Sequence, residues 1–310
     1  MREKNYSIAI LLCTYNSEKF LAEQLDSISK QSYSNWNVWI SDDGSQDNTI
    51  EVIESYKGAW GEDKLFVQLG PQQGFSLNFL SLVNNHLIQN DYYAYSDHDD
   101  VWQPNKLEQA LKWLDTIPKD IPALYCGRTC LIDDNLKEIG SSPLFSRAPS
   151  FANAIVQNIG GGNTMIFNDV ARNLLQKIDT SNGIISHDWL TYQVVTACGG
   201  KVFYDYSPTI NYRQHTYNIL GSNNHWRARI MRIKMLLQGT FRGWNASNLI
   251  AIQTLGSNID EKSYTIIDHV HLLRSNSIRI RIKELMKLKI YRQTLMGNLG
   301  LVVAIIMRRF

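Results

Sequence analysis

Residues 91–102 read DYYAYSDHDDVW. Asp91–Ser96 gathers aromatic residues into a short, largely apolar run, after which the chain turns acidic through Asp97, His98, Asp99 and Asp100. That is the pattern of a buried strand whose carboxyl end opens into a polar loop. The same pattern recurs toward the amino terminus. Tyr6–Cys13 (YSIAILLC) is almost continuously apolar and leads into Thr14, Tyr15 and Asn16. Trp36–Ile40 ends at SDDGS, and Leu65–Leu69 precedes GPQQG. Between these runs the apolar spacing is helical: Phe20, Leu21, Leu25 and Ile28 after Ser17 as a candidate N-cap, then Ile50, Val52 and Ile53, then Gly74–Ile88. Strands alternating with helices predict a mostly parallel α/β sheet covered by helices. In open sheets of this kind ligands bind beyond the carboxyl ends of the strands, where Asp42, Asp43, Asp97, Asp99 and Asp100 all fall.

Beyond Pro104, which suits the start of a helix, the pattern is less regular. Ala123–Ile132 reads as a strand, Gly160–Gly162 as a tight loop, Thr164–Phe167 as a short strand and Asp188–Ala197 as a helix. From about residue 222 the pattern is helical, and Ile278–Lys289 interleaves apolar and basic residues. Leu295–Met307 is apolar for 13 residues before Arg308 and Arg309, too short for a crossing that needs about 20, yet suited to lying in a membrane interface.

Composition bounds the function. The 310 residues are 44% hydrophobic and 19% charged, which excludes disordered and collagen-like chains. At roughly 150 residues per domain the length predicts about two units, or one full domain with a substantial appendage. The net charge of +2 conceals an asymmetry: residues 1–224 carry 16 Lys and Arg against 25 Asp and Glu, and residues 225–310 carry 15 against 4. An acidic body suits metal ions and polar substrates, and a basic helical tail suits phosphates. The four cysteines, Cys13, Cys126, Cys130 and Cys198, lack zinc-site spacing, and the amino terminus lacks a secretory pattern. Both point to a reduced, cytoplasmic protein with structural thiols.

Crowded carboxylates repel one another and are stabilised by a cation among them, so Asp97–Asp100 predicts Mn²⁺ or Mg²⁺; a solvated turn is the simpler explanation of the tetrad taken alone. The motifs SIAILLCTYN, SDDGSQDNT, GPQQGFSLNF and YSDHDDVW, in this order and spacing, resemble the nucleotide-sugar-dependent glycosyltransferases of family 2, with the GT-A fold. The resemblance spans residues 7 to about 220. The acidic loop followed by Trp102, with the later HDW at His187–Trp189, is similar to the bacterial rhamnosyltransferase branch that uses dTDP-rhamnose; the second tetrad position, often Gln there, is His98.

The resemblance implies a catalytic domain over 1–221, divided into a nucleotide-sugar half (1–103) and an acceptor half (104–221), and a helical, basic extension over 222–310. It implies that Thr14, Tyr15, Asn16, Asp42, Asp43, Gly74, Asn78, Asp97 and Arg213 contact the donor. Asp97, Asp99 and His215 would hold the metal, and Asn218 and Gly221 would belong to a lid. Trp102, Gly161, Gly162, Asn163 and Trp189 would face the acceptor, although both tryptophans are equally explained as core. Inverting transfer needs a base for the acceptor hydroxyl. Asp188 matches the family's acidic position about 90 residues after the tetrad; its simpler role is to cap a helix. The expected reaction moves rhamnose, or alternatively a sugar from a UDP donor, to a lipid-linked glycan at the cytoplasmic face of a bacterial membrane. The tail would bind that membrane or pair subunits. A sugar nucleotidyltransferase would need a glycine-rich basic loop where CTYNSEKF stands. A non-catalytic phosphate- or nucleic-acid-binding protein has only the tail's charge in its favour.

Overall fold

The computed structural model describes residues 5–181, 183–214 and 239–310. Four strands, β1 (Ile8–Thr14), β2 (Trp36–Asp42), β3 (Leu65–Leu69) and β4 (Tyr92–Ser96), run parallel in the order β3-β2-β1-β4. Helices α1 (Leu21–Ser29), α2 (Thr49–Trp60) and α3 (Phe75–Asn84) connect them. Parallel pairing requires such crossovers, and they cover both faces of the sheet. The alternation along β1 shows the result: Ile8, Ile10 and Leu12 enter one core with α1, while Ala9, Leu11 and Cys13 enter the other with α3. Each fully buried Ile or Leu contributes about 1.5–3 kcal/mol.

The sheet continues past β4. After β5 (Val101–Trp102) and α4 (Lys106–Leu114) come β6 (Ala123–Gly127), β7 (Cys130–Ile132) and β8 (Glu138–Ser141). The short α5 (Phe151–Ala154), β9 (Ile166–Asn168), α6 (Asp169–Leu175), α7 (His187–Ala197), β10 (Lys201–Asp205) and β11 (Ile210–Arg213) follow. Strand β9 enters antiparallel between β4 and β6, and β10 completes the seven-stranded sheet beside β6. A second sheet has the order β5-β11-β7-β8.

The continuous strand expected over Ala123–Ile132 is two strands in different sheets. At the break the Arg128 N–H donates to Asp205 O, the last residue of β10, and Cys130 then pairs with Asn211. Ser17 does not cap α1 with its side chain; its carbonyl accepts from the N–H groups of Phe20 and Leu21 while its hydroxyl accepts from Tyr15.

Four further helices, α8 (Thr240–Gln253), α9 (Glu261–Val270), α10 (Ile278–Leu288) and α11 (Leu295–Ile306), follow the two sheets in sequence. They pack on the core behind α5 and α7 through Leu249, Ile252, Ile267 and Ile305. The expected division at residue 221 lies outside the described residues. None of the described helices is long and apolar enough to cross a membrane.

Candidate functional site

The acidic loop leaves β4 at Ser96 and returns as β5, and along it Asp97 and His98 are half-buried while Asp99 and Asp100 are buried. Asp100 is buried: its carboxylate accepts from Asn163 Nδ2 at 2.5 Å and from the Arg213 N–H at 3.2 Å. Burial, with Asp99 and Asp97 close by, pushes its carboxyl well above the usual range. Asp97 is half-buried and pushed up to about 8, first by desolvation and then by the charges of Asp99 and Asp188. The last cause places Asp188, 91 positions away in sequence, electrostatically in the same site as Asp97 and Asp99.

Arg213 anchors this loop. Its side chain is wholly buried: Nε donates to Asp99 O at 2.9 Å, Nη1 to Asp134 O at 3.0 Å and Nη2 to Glu23, while the guanidinium lies 4.2 Å from the Phe20 ring centroid. The expectation of a phosphate-gripping fork is therefore corrected. The guanidinium is spent on holding the acidic loop against α1. Gln24 reinforces the same junction. With its amide oriented to satisfy its neighbours, its nitrogen donates to Asp100 O at 2.6 Å and its oxygen accepts from Trp102 Nε1 at 3.0 Å and from Ser96 Oγ at 2.6 Å.

The expected nucleotide end forms where β1, β2 and β3 finish. Asp42 is buried, and all four of its usual acceptor positions are filled. Oδ1 accepts from the N–H groups of Gly44 at 3.1 Å and Ser45 at 2.8 Å; Oδ2 accepts from Thr14 Oγ1 at 2.7 Å and from Ser45 Oγ. Such a carboxylate organises the loop and has little capacity left for a base. Its neighbour Asp43 is half-buried, with Oδ1 accepting from the Gln72 N–H at 2.6 Å and Oδ2 from the Gly74 N–H at 3.3 Å. Asn16, at φ 49°, ties the two loops together: its N–H donates to Ser45 Oγ and its Oδ1 accepts from the Gln46 N–H. Tyr15 is exposed beside it.

Asn78 is buried at the start of α3. Its Nδ2 donates to Ser41 O at 3.0 Å, and its Oδ1 has no protein partner. Gly70, a residue the motif reading did not single out, packs against that oxygen: a Cβ there would lie 2.7 Å from Asn78 Oδ1 and 2.6 Å from Asp43 Oδ1. The first glycine of GPQQG was the available signal. Gly74 precedes α3 at φ 88°, a conformation that favours glycine.

The expected acceptor wall comes from the loop before β9 and from the start of α7. Gly161 is exposed, Gly162 is buried, and Asn163 is turned inward onto Asp100. Ser186 occupies the cap position of α7, leaving Asp188 half-buried within its first turn, where helix polarity favours negative charge. The Trp189 N–H donates to Asp188 Oδ1 at 2.6 Å. The expected sugar-stacking roles of Trp102 and Trp189 are corrected, because both indoles are core residues. Trp102 covers the buried Lys106 amine at 4.0 Å, and Trp189 Nε1 donates to Ala154 O at 2.6 Å. Lys106 Nζ has no hydrogen-bond partner, and burial pulls it down to about 7.

His187 is the least expected member of the site. Its ring stacks on Phe79 (centroids 3.9 Å apart, planes 22° apart) and meets Tyr95 edge-on at 4.7 Å. Neither ring nitrogen has a protein partner, and burial pulls the imidazole down to about 4, so it is neutral at physiological pH. A Cβ on Gly162 would lie 2.4 Å from Nε2; the absence of a side chain at 162 admits the ring. His215, Asn218 and Gly221 lie outside the described residues. Among the described residues no three His, Cys, Asp or Glu side chains form a ready-made metal cage. Asp97 and Asp99 nevertheless suit Mg²⁺ or Mn²⁺, since such ions typically use one or two carboxylates and complete their shell with substrate phosphates and water. A separate cleft of about 470 Å³ opens at the opposite end of β4, near Asp91 and Arg172, away from these groups.

A parallel sheet with acidic loops at its carboxyl edge, an antiparallel strand beyond the central strands and a helix carrying a carboxylate opposite them together define a GT-A glycosyltransferase. The profile of glycosyl transferase family 2 matches residues 9–175. The chain belongs to that family. It is 26% identical over 239 residues to the dTDP-rhamnosyl transferase RfbG of Shigella flexneri, covering 74% of this chain and 81% of that protein. It is 27% identical over 235 residues to an uncharacterized glycosyltransferase of Nostoc sp., covering 71% and 67%. The fold matches S. aureus TarS 1-349 in complex with UDP at a TM-score of 0.54, with 14% identity over 90% of this chain and 78% of that one. It also matches the Pyrobaculum calidifontis mannosyltransferase PcManGT, in complex with GDP-Man and Mn²⁺, at 0.52, with 15% identity over 99% and 86%.

Proposed function

We propose that this family 2 enzyme transfers rhamnose from dTDP-rhamnose, with inversion, to a hydroxyl of a lipid-linked glycan at the cytoplasmic face of a bacterial membrane. Similarity to RfbG over most of both chains supports the donor. The observation that supports the chemistry is that Asp99 and Asp188 both lie near enough to Asp97, beyond β4, for their charges to add to burial in raising its carboxyl.

Asp43, Tyr15 and Asn16 line the nucleotide end, with the buried Thr14, Asp42 and Asn78 fixing its loops from beneath. Asp97 and Asp99 would hold a divalent cation, which supplies positive charge to the departing diphosphate. Arg213 contributes from behind by fixing the Asp99 carbonyl. Asp188 takes the proton: the Trp189 N–H fixes Oδ1 and leaves Oδ2 as the oxygen that receives it. The acceptor oxygen then bonds to the anomeric carbon as the bond from that carbon to the diphosphate oxygen breaks, with the electron pair leaving on the diphosphate. His187, neutral and stacked on Phe79, sets the position of the Gly160–Asn163 loop and not the proton balance.

Thermal stabilisation by a panel of nucleotide sugars with and without Mn²⁺ tests the donor, because a ligand of the native state raises apparent stability. Preference for dTDP-rhamnose is expected. Preference for a UDP-sugar overturns the rhamnosyl assignment.

A further inference from the structure

Helices α10 and α11 present an unusual surface. Helix α10 turns Arg281, Glu284 and Leu288 inward. Around the same helix Ile278, Ile282 and Met286, four residues apart, are exposed at 46%, 43% and 68%. Next to this stripe runs a second one, Arg279, Lys283 and Lys287, with the same spacing and also exposed. Helix α11 exposes Leu295 (78%), Leu299 (52%), Val302 and Ile306 along one side and is followed by exposed Arg308 and Arg309. Spacings of three and four place such side chains on one helix face. Surface leucines scattered singly need no explanation, but two helices with apolar stripes edged by cations do.

Two occupants would cover apolar stripes of this kind, a second copy of the chain or a lipid surface. A two-fold dimer brings the same patch of both subunits together. It would set the cations of Arg279, Lys283 and Lys287 near those of the other copy. Within α10 the one carboxylate, Glu284, is buried against His269, and the exposed Asp268 of α9 lies beside that same imidazole, on which the Lys287 amine also rests, so Arg279 and Lys283 have no carboxylate on their own helix face. An anionic bilayer answers both features at once, with acyl chains for the apolar stripe and headgroup phosphates for the basic one. At 12 residues α11 spans about 18 Å, so it would lie in the interface plane.

We propose that the outer faces of α10 and α11 dock on an anionic phospholipid surface. The purpose assigned to this docking rests on the reading of a membrane-proximal acceptor, while the surface itself is testable without catalysis. Its link to the cleft is direct. In the segment joining the two helices, the Gln293 N–H donates to Gln157 Oε1 at 2.8 Å and the carbonyl of Tyr291 accepts from Asn153 Nδ2 at 2.9 Å. Asn153 belongs to α5, whose Ala154 carbonyl holds the Trp189 indole beside Asp188. Docking would thus fix the height of Asp188 relative to the lipid.

The test is flotation of the full chain with phosphatidylcholine vesicles and with vesicles of phosphatidylcholine and phosphatidylglycerol, each at low and high salt. The expected result is co-flotation with the anionic vesicles, weakened by salt. Replacing Arg279, Lys283 and Lys287 together by Gln should lower partitioning on the order of 100-fold, and Ile282→Asp with Leu299→Asp should abolish it. Both variants should keep the wild-type thermal stabilisation by nucleotide sugar, which shows that they are folded. Equal binding to neutral vesicles, or a salt-resistant dimer in sedimentation that Leu299→Asp dissociates, overturns the proposal. Vesicle binding without any nucleotide-sugar stabilisation would instead sink the enzymatic reading and leave the docking surface standing.

Discussion

Gly162→Ala is the most informative single-atom change in the cleft. The added methyl would sit 2.4 Å from His187 Nε2 and 3.1 Å from Cε1, well inside contact distance. The imidazole cannot swing away easily, because Phe79 covers one face and Tyr95 meets it edge-on. Gly162 has no positive φ, so the cost is steric, and overpacking of a dense core costs about 1–3 kcal/mol. Relief by moving the loop would pull Asn163 off Asp100, where Nδ2 donates at 2.5 Å. We expect Gly162→Ala to lose that stability in urea unfolding and to lose sugar transfer beyond what the unfolded fraction accounts for. A double-mutant cycle isolates the cause: His187→Ala opens the space, so the double variant should be more stable than the sum of the singles by about 1–3 kcal/mol. Additive losses would refute the reasoning, as would an alanine at 162 that leaves both stability and turnover unchanged.

Three further outcomes follow from the same geometry. Arg213→Met should destabilise the fold by about 1–3 kcal/mol, because it leaves the Asp99 and Asp134 carbonyls without their buried donor, while the half-exposed Glu23 turns to water; a stable variant with only a raised KM for donor would restore the phosphate-fork role. Asp97, with its carboxyl near 8 in the fold and near 3.8 when unfolded, keeps its proton in the native state across that window. In chelated protein, the stability of wild type relative to Asp97→Asn should therefore fall as pH rises from about 4 to about 8; urea midpoints measured across that range check the sign, and a rising difference contradicts it. Asp188→Asn should lower kcat by about 10²–10⁴-fold while leaving donor-induced thermal stabilisation intact, and unchanged turnover removes it as the base.

Much of the scaffold was legible because its signals are local. Continuous apolar runs marked β1 and β4 as strands buried on both faces, and the acidic letters after β2 and β4 marked the carboxyl edge. What periodicity does not encode is which way a side chain turns once the loops close. Asp97, Asp99 and Asp100 differ only in position, yet the structure seats Asp100 under Asn163 and the Arg213 backbone and leaves Asp97 half-buried within reach of the charges of Asp99 and Asp188. Arg213 resembled a phosphate ligand by type and place, and only tertiary packing shows Glu23 and Phe20 enclosing it. The same holds for Trp102 and Trp189, whose indole N–H groups find buried acceptors. The run Ala123–Ile132 does carry a mark of its break, the Gly127-Arg128-Thr129 interruption where the chain changes sheet, but reading the run as one strand passed over it. Gly70 and Gly162 became informative only when the atoms facing them, Asn78 Oδ1 and His187 Nε2, were in place.

The central claim is that Asp97 and Asp99 hold a divalent cation on which donor use depends. Its most direct test is the rate of sugar transfer after exhaustive chelation, followed by titration with Mn²⁺, for wild type and Asp99→Asn. The account predicts no turnover in chelator, saturable recovery for wild type and little recovery for the variant. Full activity in chelator, or identical recovery of both proteins, would contradict it.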